Sequence, residues 1–548
     1  MKNYILIFIA SILSTILSAT TAIASPPTPR LVVQITVSGM RYDYLLRFGH
    51  NFTDQGFKRL TTQGALCERA MIGYLNTSTA PGLATIVTGA NPSSHGVIGS
   101  HWFNYTTSEK ISLVEDKKVH TIGADELDAQ VSPRAMIAST TGDCIKSSSP
   151  RSKVISIAFE PLSAVVAGGF EADGAYWVSP RDGKLVSSSY YTDKLPEWVD
   201  KFNALNLAES YSSAKWEVSR PASSYFNILR SVISADTSVL NFDFLTRKKY
   251  EYERLAVSPF GNSLIKDFAT QAVIYENLGK DASTDFLSVV FDGPRQAGEK
   301  FGTSSMEVED IFYRLDAELG SFLDFLVTQV GRENLLVVLT SDHGLCSPYI
   351  ETARSAGGRF DVSQFSVLIN GFLGAQLTQR IAPSRQAAAA EGDQRWVLDV
   401  INNQVYLNRK RIYQAGLDLS EVQQLVADFA IQFRGVSDAI TARNLQSAYF
   451  AGGTLGKAQN GYFARHSGDV TINLLPGWSV SDGGISQGGS QYIYDTHVPI
   501  IFFGGAIAPD NISREVSLTD IAPTIAHLVG VAPPNAATGV PIREIYIK

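Results

Sequence analysis

The sequence predicts an α/β fold: a mostly parallel central sheet, helices on both faces, and cap insertions. Three observations predict it. Short, near-continuous apolar runs at Leu31–Val37, 152–158, Asp285–Phe291, Leu335–Thr340 and 498–503 read as strands buried on both faces, as parallel sheets require. Longer stretches of helical periodicity alternate with them. Ser38, Asp342 and His343 fall just past the ends of such runs, where sites gather in open α/β sheets.

Taken in order, the chain opens with Lys2, an apolar run rich in small residues, and Ala22-Ile23-Ala24 before Ser25. That pattern reads as an export signal, residues 1–24, removed after Ala24, which leaves a periplasmic or secreted protein. A retained membrane anchor is the alternative, since the run is nearly long enough to span a bilayer. No later stretch approaches that length. The remainder, 25–548, has an ordinary globular composition, with 45% hydrophobic and 18% charged residues over the whole chain. A net charge of −7 argues against nucleic acid as a partner, because that partner favours a basic face. It does not bear on small phosphate esters, which local groups handle. The three cysteines, Cys67, Cys144 and Cys346, allow one disulfide at most, with Cys67–Cys144 as the expected pair.

The strand at Leu31–Val37 delivers Ser38. The stretch NTSTAPGLATIVTGANPSSHGVIG, residues 76–99, then places a hydroxyl, Thr79, before Ala-Pro-Gly and an apolar helical segment. Proline is tolerated in a first helical turn, where the missing N–H would be unpaired anyway. Thr79 is therefore expected at a helix N-terminus, where free amides and the helix dipole suit an anion. A simple capping role for Thr79 is the plainer alternative. Residues 160–280 and 345–480 read as insertions between core strands. Trp177, Trp198, Trp216 and Tyr190-Tyr191 in the first of them favour aromatic packing over a stacking platform for a ligand. Residues 305–330 form the clearest helix, with Val308, Phe312, Leu315, Leu319, Phe322 and Leu326 at three- and four-residue steps; Ser304 and Glu307 match a capping box. A second helix follows Ser420, with Gln423 in capping position, and ends before Gly435. Residues 517–531 read as a late core helix in which Asp520 is a cap rather than a ligand.

Thr79 with TGANPSSHGVIG, the segment SDHG at 341–344, and YDTHVPIIF at 494–502 together resemble the alkaline phosphatase superfamily. The likeness is to the periplasmic, phosphate-irrepressible alkaline phosphatases, relatives of the nucleotide pyrophosphatases/phosphodiesterases. It covers nearly all of the chain after residue 24, and rests on the order and spacing of motifs that are individually weak. The resemblance implies a phosphoester hydrolase with a threonine nucleophile and two zinc ions, which activate the nucleophile and stabilise both oxygens of an in-line displacement. Thr79 matches the nucleophile, Asp342 and His343 the Asp-His ligands of one ion, and His497 a late histidine ligand of the other.

Other positions depart from the family pattern. Ser38 stands where an aspartate ligand belongs. Arg295 and Glu299 occupy the D-x-x-x-H pair of the second ion, with Asp292 nearby. Glu160 and Leu162 replace a phosphate-gripping Lys-x-Arg, and Ser100 replaces an asparagine. A catalytic zinc takes about three protein ligands. One ion retains Asp342, His343 and the Thr79 oxygen, whereas the other retains His497 alone. The expectation is therefore one zinc ion at most, or none, with two-zinc activity weak or altered on a small phosphate ester or other anion. The alternative is an inactive exported pseudophosphatase with a binding or structural role. Thr79, Asp342, His343 and His497 are expected in one cleft. Arg295, as an anion-binding residue, is expected to point into that cleft or to pair with Glu299 at its rim.

Overall fold

A computed structural model describes residues 28–124, 128–226, 251–347, 357–480 and 484–546; the export signal expected at 1–24 lies outside the described residues. The strands of the two larger sheets, in chain order, are β1 Leu31–Val37, β2 Ala65–Met71, β3 Thr121–Ile122, β4 Val154–Ala158, β5 Gly174–Val178, β6 Leu185–Ser188, β7 Asp285–Phe291 and β8 Leu335–Thr340. They continue with β9 Val397–Ile401, β10 Gln404–Leu407, β11 Val436–Thr441, β12 Val470–Leu474, β13 Ile500–Gly504 and β14 Asp510–Ser517. Ten of them form one sheet in the order β14-β2-β13-β8-β1-β7-β4-β5-β6-β3. At its centre β1 lies parallel to both β8 and β7, and every residue of these three strands is buried. Burial on both faces is why their sequences are apolar without alternation.

The sheet is mostly parallel, with β13 and β6 running against the other strands. β13 runs antiparallel to both of its neighbours, β8 and β2. The reason is where the chain comes from. Residues between β8 and β13 leave the sheet at the carboxyl end of β8, so β13 re-enters from that same end and must run backwards. Much of that excursion is a second unit, the four-stranded antiparallel sheet β9-β10-β12-β11. It has its own apolar core, including Phe365, Leu373, Val422, Val426 and Ile472. The interval 160–280 supplies β5 and β6 to the central sheet as well as helices packed beside it. Trp177, Trp198 and Trp216 are buried there. Trp198 packs 4.9 Å from Phe268, and the Trp216 indole donates to Asp310, so these rings serve the core.

Four helices matter for the site: α1 Thr79–Thr88, α2 Gly293–Phe301, α3 Met306–Val330 and α4 Leu419–Ala430. The six apolar residues expected along α3 are all buried. Its cap is Ser305, whose hydroxyl accepts from the Val308 amide at 3.2 Å, one residue later than the expected Ser304 box. α4 is capped by Asp418, and Gln423 instead donates to buried Asp469. Asp520 closes a capping box with Ser517 at the start of the late helix, as a cap. All three cysteines are free, so the expected Cys67–Cys144 bridge is not formed. Cys67 is buried in β2 against the sheet's apolar core, and burial pushes its thiol up to about 12.

His95, from the Thr79 motif, is a structural residue. It is 1% exposed; its Nδ1 accepts from the Val97 amide at 3.0 Å, and its Nε2 lies 3.1 Å from the Thr85 hydroxyl. Burial pushes the ring down to about 3 from its ordinary 6.5. Between those values the unfolded chain binds a proton that the fold refuses, so stability falls as pH falls. From pH 7 to pH 5 this one residue costs about 2 kcal/mol. Urea unfolding at both pH values checks it: the loss shrinks by about that amount in His95→Gln, and an unchanged loss would refute the assignment.

Candidate functional site

Thr79 opens α1, with Ser78 in extended conformation before it. The helix seats on the SDHG loop because Gly82, one turn in, has no side chain. A Cβ there would lie 2.2 Å from the Asp342 carbonyl oxygen. The loop follows β8, and β1 ends beside it, so Thr79, Asp342, His343 and Ser38 meet beyond the carboxyl ends of the central strands.

Asp342 is wholly buried and saturated with donors. Its Oδ2 accepts from the Ser38 hydroxyl at 2.7 Å; its Oδ1 accepts from the amides of His343 at 2.9 Å and Gly39 at 3.1 Å. Burial favours the neutral acid, but His343, the Ser38 hydroxyl and Arg295 outweigh it and hold the carboxyl below its ordinary value. The His343 ring donates from Nδ1 to the Gly344 carbonyl at 2.6 Å, which fixes its orientation. Its Nε2 faces the Thr79 hydroxyl at 3.3 Å and Asp342 Oδ2 at 3.6 Å.

Arg295, on α2, is 8% exposed. It joins Glu160 at 2.6 Å and Glu299 at 2.9 Å. Burial opposes its charge, yet Glu160, then Glu299, Asp292 and Asp342 raise its pKa well above the ordinary value. Gln296 donates to the other Glu160 oxygen at 2.7 Å. Asp292 turns away from Thr79: it accepts from the Phe159 and Glu160 amides and from the Ser163 hydroxyl. Burial, then Glu160, pushes its carboxyl well above the ordinary range. Leu162 packs into an apolar cluster, and the Ser100 hydroxyl lies 3.1 Å from His101 Nδ1.

A cavity of about 660 Å³ opens over Thr79 and His343, with Ser100 and Glu299 on its wall. His497 is not among its described lining residues. Its ring stacks on Tyr42 at 4.3 Å, and Nε2 lies 2.8 Å from the Glu68 carbonyl. Its backbone bridges Met71 at the end of β2, shortly before β13 begins. The late segment reaches the cavity through Gly488 instead. A Cβ at Gly488 would sit 2.8 Å from His343 Nδ1 and 2.9 Å from the Thr77 carbonyl. Sequence reading missed this position because a glycine offers no donor to look for; only the QGGS run just before YDTHVP marks it. It also missed Asn402 and Asn403, which line the cavity from the turn between β9 and β10.

Asp342, His343 and Thr79 bring donors of the kind a zinc ion takes. Thr79 Oγ1 lies 3.3 Å and Asp342 Oδ2 3.6 Å from His343 Nε2, close to the roughly 3.4 Å between ligands of a tetrahedral zinc with bonds of about 2.0–2.1 Å. The second position has no such set, since Arg295 and Glu299 are spent on each other and on Glu160. Among the described residues no group of three or more His, Cys, Asp or Glu side chains is placed to hold a metal.

The family model for type I phosphodiesterase / nucleotide pyrophosphatase matches residues 32–487. Alkaline phosphatase PhoV of Synechococcus elongatus is 32% identical over 530 residues, spanning 94% of this chain and 93% of that protein. Alkaline phosphatase PafA of Elizabethkingia meningoseptica is 30% identical over 536 residues, 95% of each. The crystal structure of wild-type PafA superposes with a TM-score of 0.85 at 28% identity, covering 95% of this chain and 99% of that one.

Proposed function

Because the chain belongs to the type I phosphodiesterase / nucleotide pyrophosphatase family, within the alkaline phosphatase superfamily, we propose that it is a phosphoester hydrolase whose nucleophile is Thr79 and whose two-zinc activity is weak or altered. The observation that carries this reading is the Glu160–Arg295–Glu299 ion-pair chain. It puts a permanent cation, rather than ligands, beside Asp342. Asp342, His343 and Thr79 would hold one zinc ion, which when bound lowers the pKa of an attached oxygen and stabilises charge on a phosphoryl group. The chain's own residues do the rest. The first turn of α1 offers its unpaired amides to an anion. The Gly344 carbonyl keeps His343 Nε2 aimed at the Thr79 hydroxyl. We read the chain as exported; among the described residues no helix is long and apolar enough to cross a membrane.

A second reading, an inactive binding protein, is favoured by one observation. Glu160 presents a carboxylate, one third exposed, at the position where the resemblance places a phosphate-gripping lysine. Elemental analysis of the purified chain, a p-nitrophenyl phosphate assay and calorimetry with inorganic phosphate separate the readings. The proposal expects at most one zinc per chain, phosphate binding, and turnover below the roughly 1 s⁻¹ at the low end of typical enzymes, abolished in Thr79→Ala. Phosphate binding with no turnover at any zinc concentration selects the second reading. Two tightly held zinc ions with fast turnover overturn both.

A further inference from the structure

An anion over Thr79 needs positive charge beside it, and Arg295 cannot supply it. That guanidinium is joined to Glu160 and Glu299, and the cavity wall itself carries the carboxylates of Glu299 and Asp399. Among the described lining residues, Lys110 is the one lysine or arginine. It belongs to a two-stranded ribbon in which His101–Asn104 pairs with Glu109–Ser112, and it lies opposite Phe103. Side chains alternate along a strand, so His101, Phe103 and Lys110 share one face, and both His101 and Lys110 line the cavity. The His101 ring senses the ammonium: burial, then Lys110, hold its pKa below the ordinary value. The base of the ribbon is fixed. The Leu113 amide donates to the Ser100 carbonyl at 2.9 Å, Asn402 donates to the His101 carbonyl at 2.8 Å, and Trp102 is buried. Lys110 itself is exposed, and among the described residues its ammonium makes no ion pair. A flexible four-carbon stem on a fixed base lets that point charge swing to a ligand.

We propose that Lys110 is the anion-gripping side chain of this cavity, its ammonium closing on the phosphoryl oxygens of an ester held at the first turn of α1. This rests on the phosphoester reading of the same site. The test is calorimetry on the full chain with inorganic phosphate as the probe. At low ionic strength Lys110→Gln weakens phosphate binding about tenfold, the worth of one hydrogen bond to a charged group. Lys110→Arg stays within about twofold of the wild type, because a guanidinium also grips phosphate. The gap between wild type and Lys110→Gln narrows in about 1 M salt, where charges are screened within roughly 3 Å. Urea midpoints stay unchanged, as for an ordinary surface substitution. Lys117→Gln, exposed and not among the described lining residues, binds phosphate as the wild type does. A loss below about twofold in Lys110→Gln, the effect of a screened distant charge, overturns the proposal. So does an equal loss in Lys117→Gln, which would mean that overall charge and not a placed ammonium is at work. If the wild-type chain binds no phosphate at all, the phosphoester reading fails first and takes this one with it.

Discussion

Replacing Arg295 with leucine lowers the unfolding free energy by about 3 kcal/mol, the low end for removing one partner of a buried ion pair. The guanidinium is 10% exposed, while Glu160 and Glu299 keep about a third of their surface. Solvent therefore screens part of what they lose. Asp342 and Asp292 have no such relief, because both are buried and both lean on this cation. Arg295→Lys recovers little of the loss: one ammonium cannot bond both glutamates through a planar fork. Denaturant midpoints at pH 7 measure the change. A loss below 0.5 kcal/mol, the range of ordinary surface substitutions, would show that the ion-pair chain is incidental. Treating the wild-type chain with a chelator, by contrast, leaves its melting temperature nearly unchanged, since the fixed cation already balances these carboxylates.

The second large effect is a gain. The triple variant Ser38→Asp, Arg295→Asp and Glu299→His binds one zinc ion at least about 100-fold more tightly than the wild type, since a direct carboxylate ligand is worth no less than the 10–100-fold of an outer-shell partner. Ser38 already touches Asp342 at 2.7 Å, so an aspartate there joins Asp342, His343 and Thr79. The second ion still falls short. His497 lies on Tyr42 and Gly488 brings no donor, which leaves only the two introduced residues, fewer than the usual three. Competitive titration and elemental analysis therefore give one tight equivalent, not two. Unchanged zinc affinity would mean that the motif alignment through 285–302 is misplaced.

How much of this could be read in the sequence follows from what each feature leaves behind. The central strands were legible because burial on both faces writes an uninterrupted apolar run. The direction of β13 was not, since 498–503 is equally apolar in either direction and only the excursion before it decides. Thr79, Asp342 and His343 converge because the turns holding them are local and marked by Pro81, Gly82 and Gly344. His497 suits a ligand by residue type; its ring stacks on Tyr42 and its Nε2 meets the Glu68 carbonyl, contacts that motif spacing does not encode. Gly488, Asn402 and Asn403 enter the cavity from segments far away in sequence. The Asn-Asn pair was a turn signal; what it faces depends on how the second unit folds back.

The unbridged cysteines have a practical consequence. No covalent loop constrains the unfolded chain, so every part of its stability comes from packing, hydrogen bonds and ion pairs, which form alike in reducing and oxidising surroundings. Cys67, protonated at neutral pH and sealed in the sheet, is a poor partner for thiol exchange. Formation of this structure therefore needs neither an oxidant nor a disulfide isomerase.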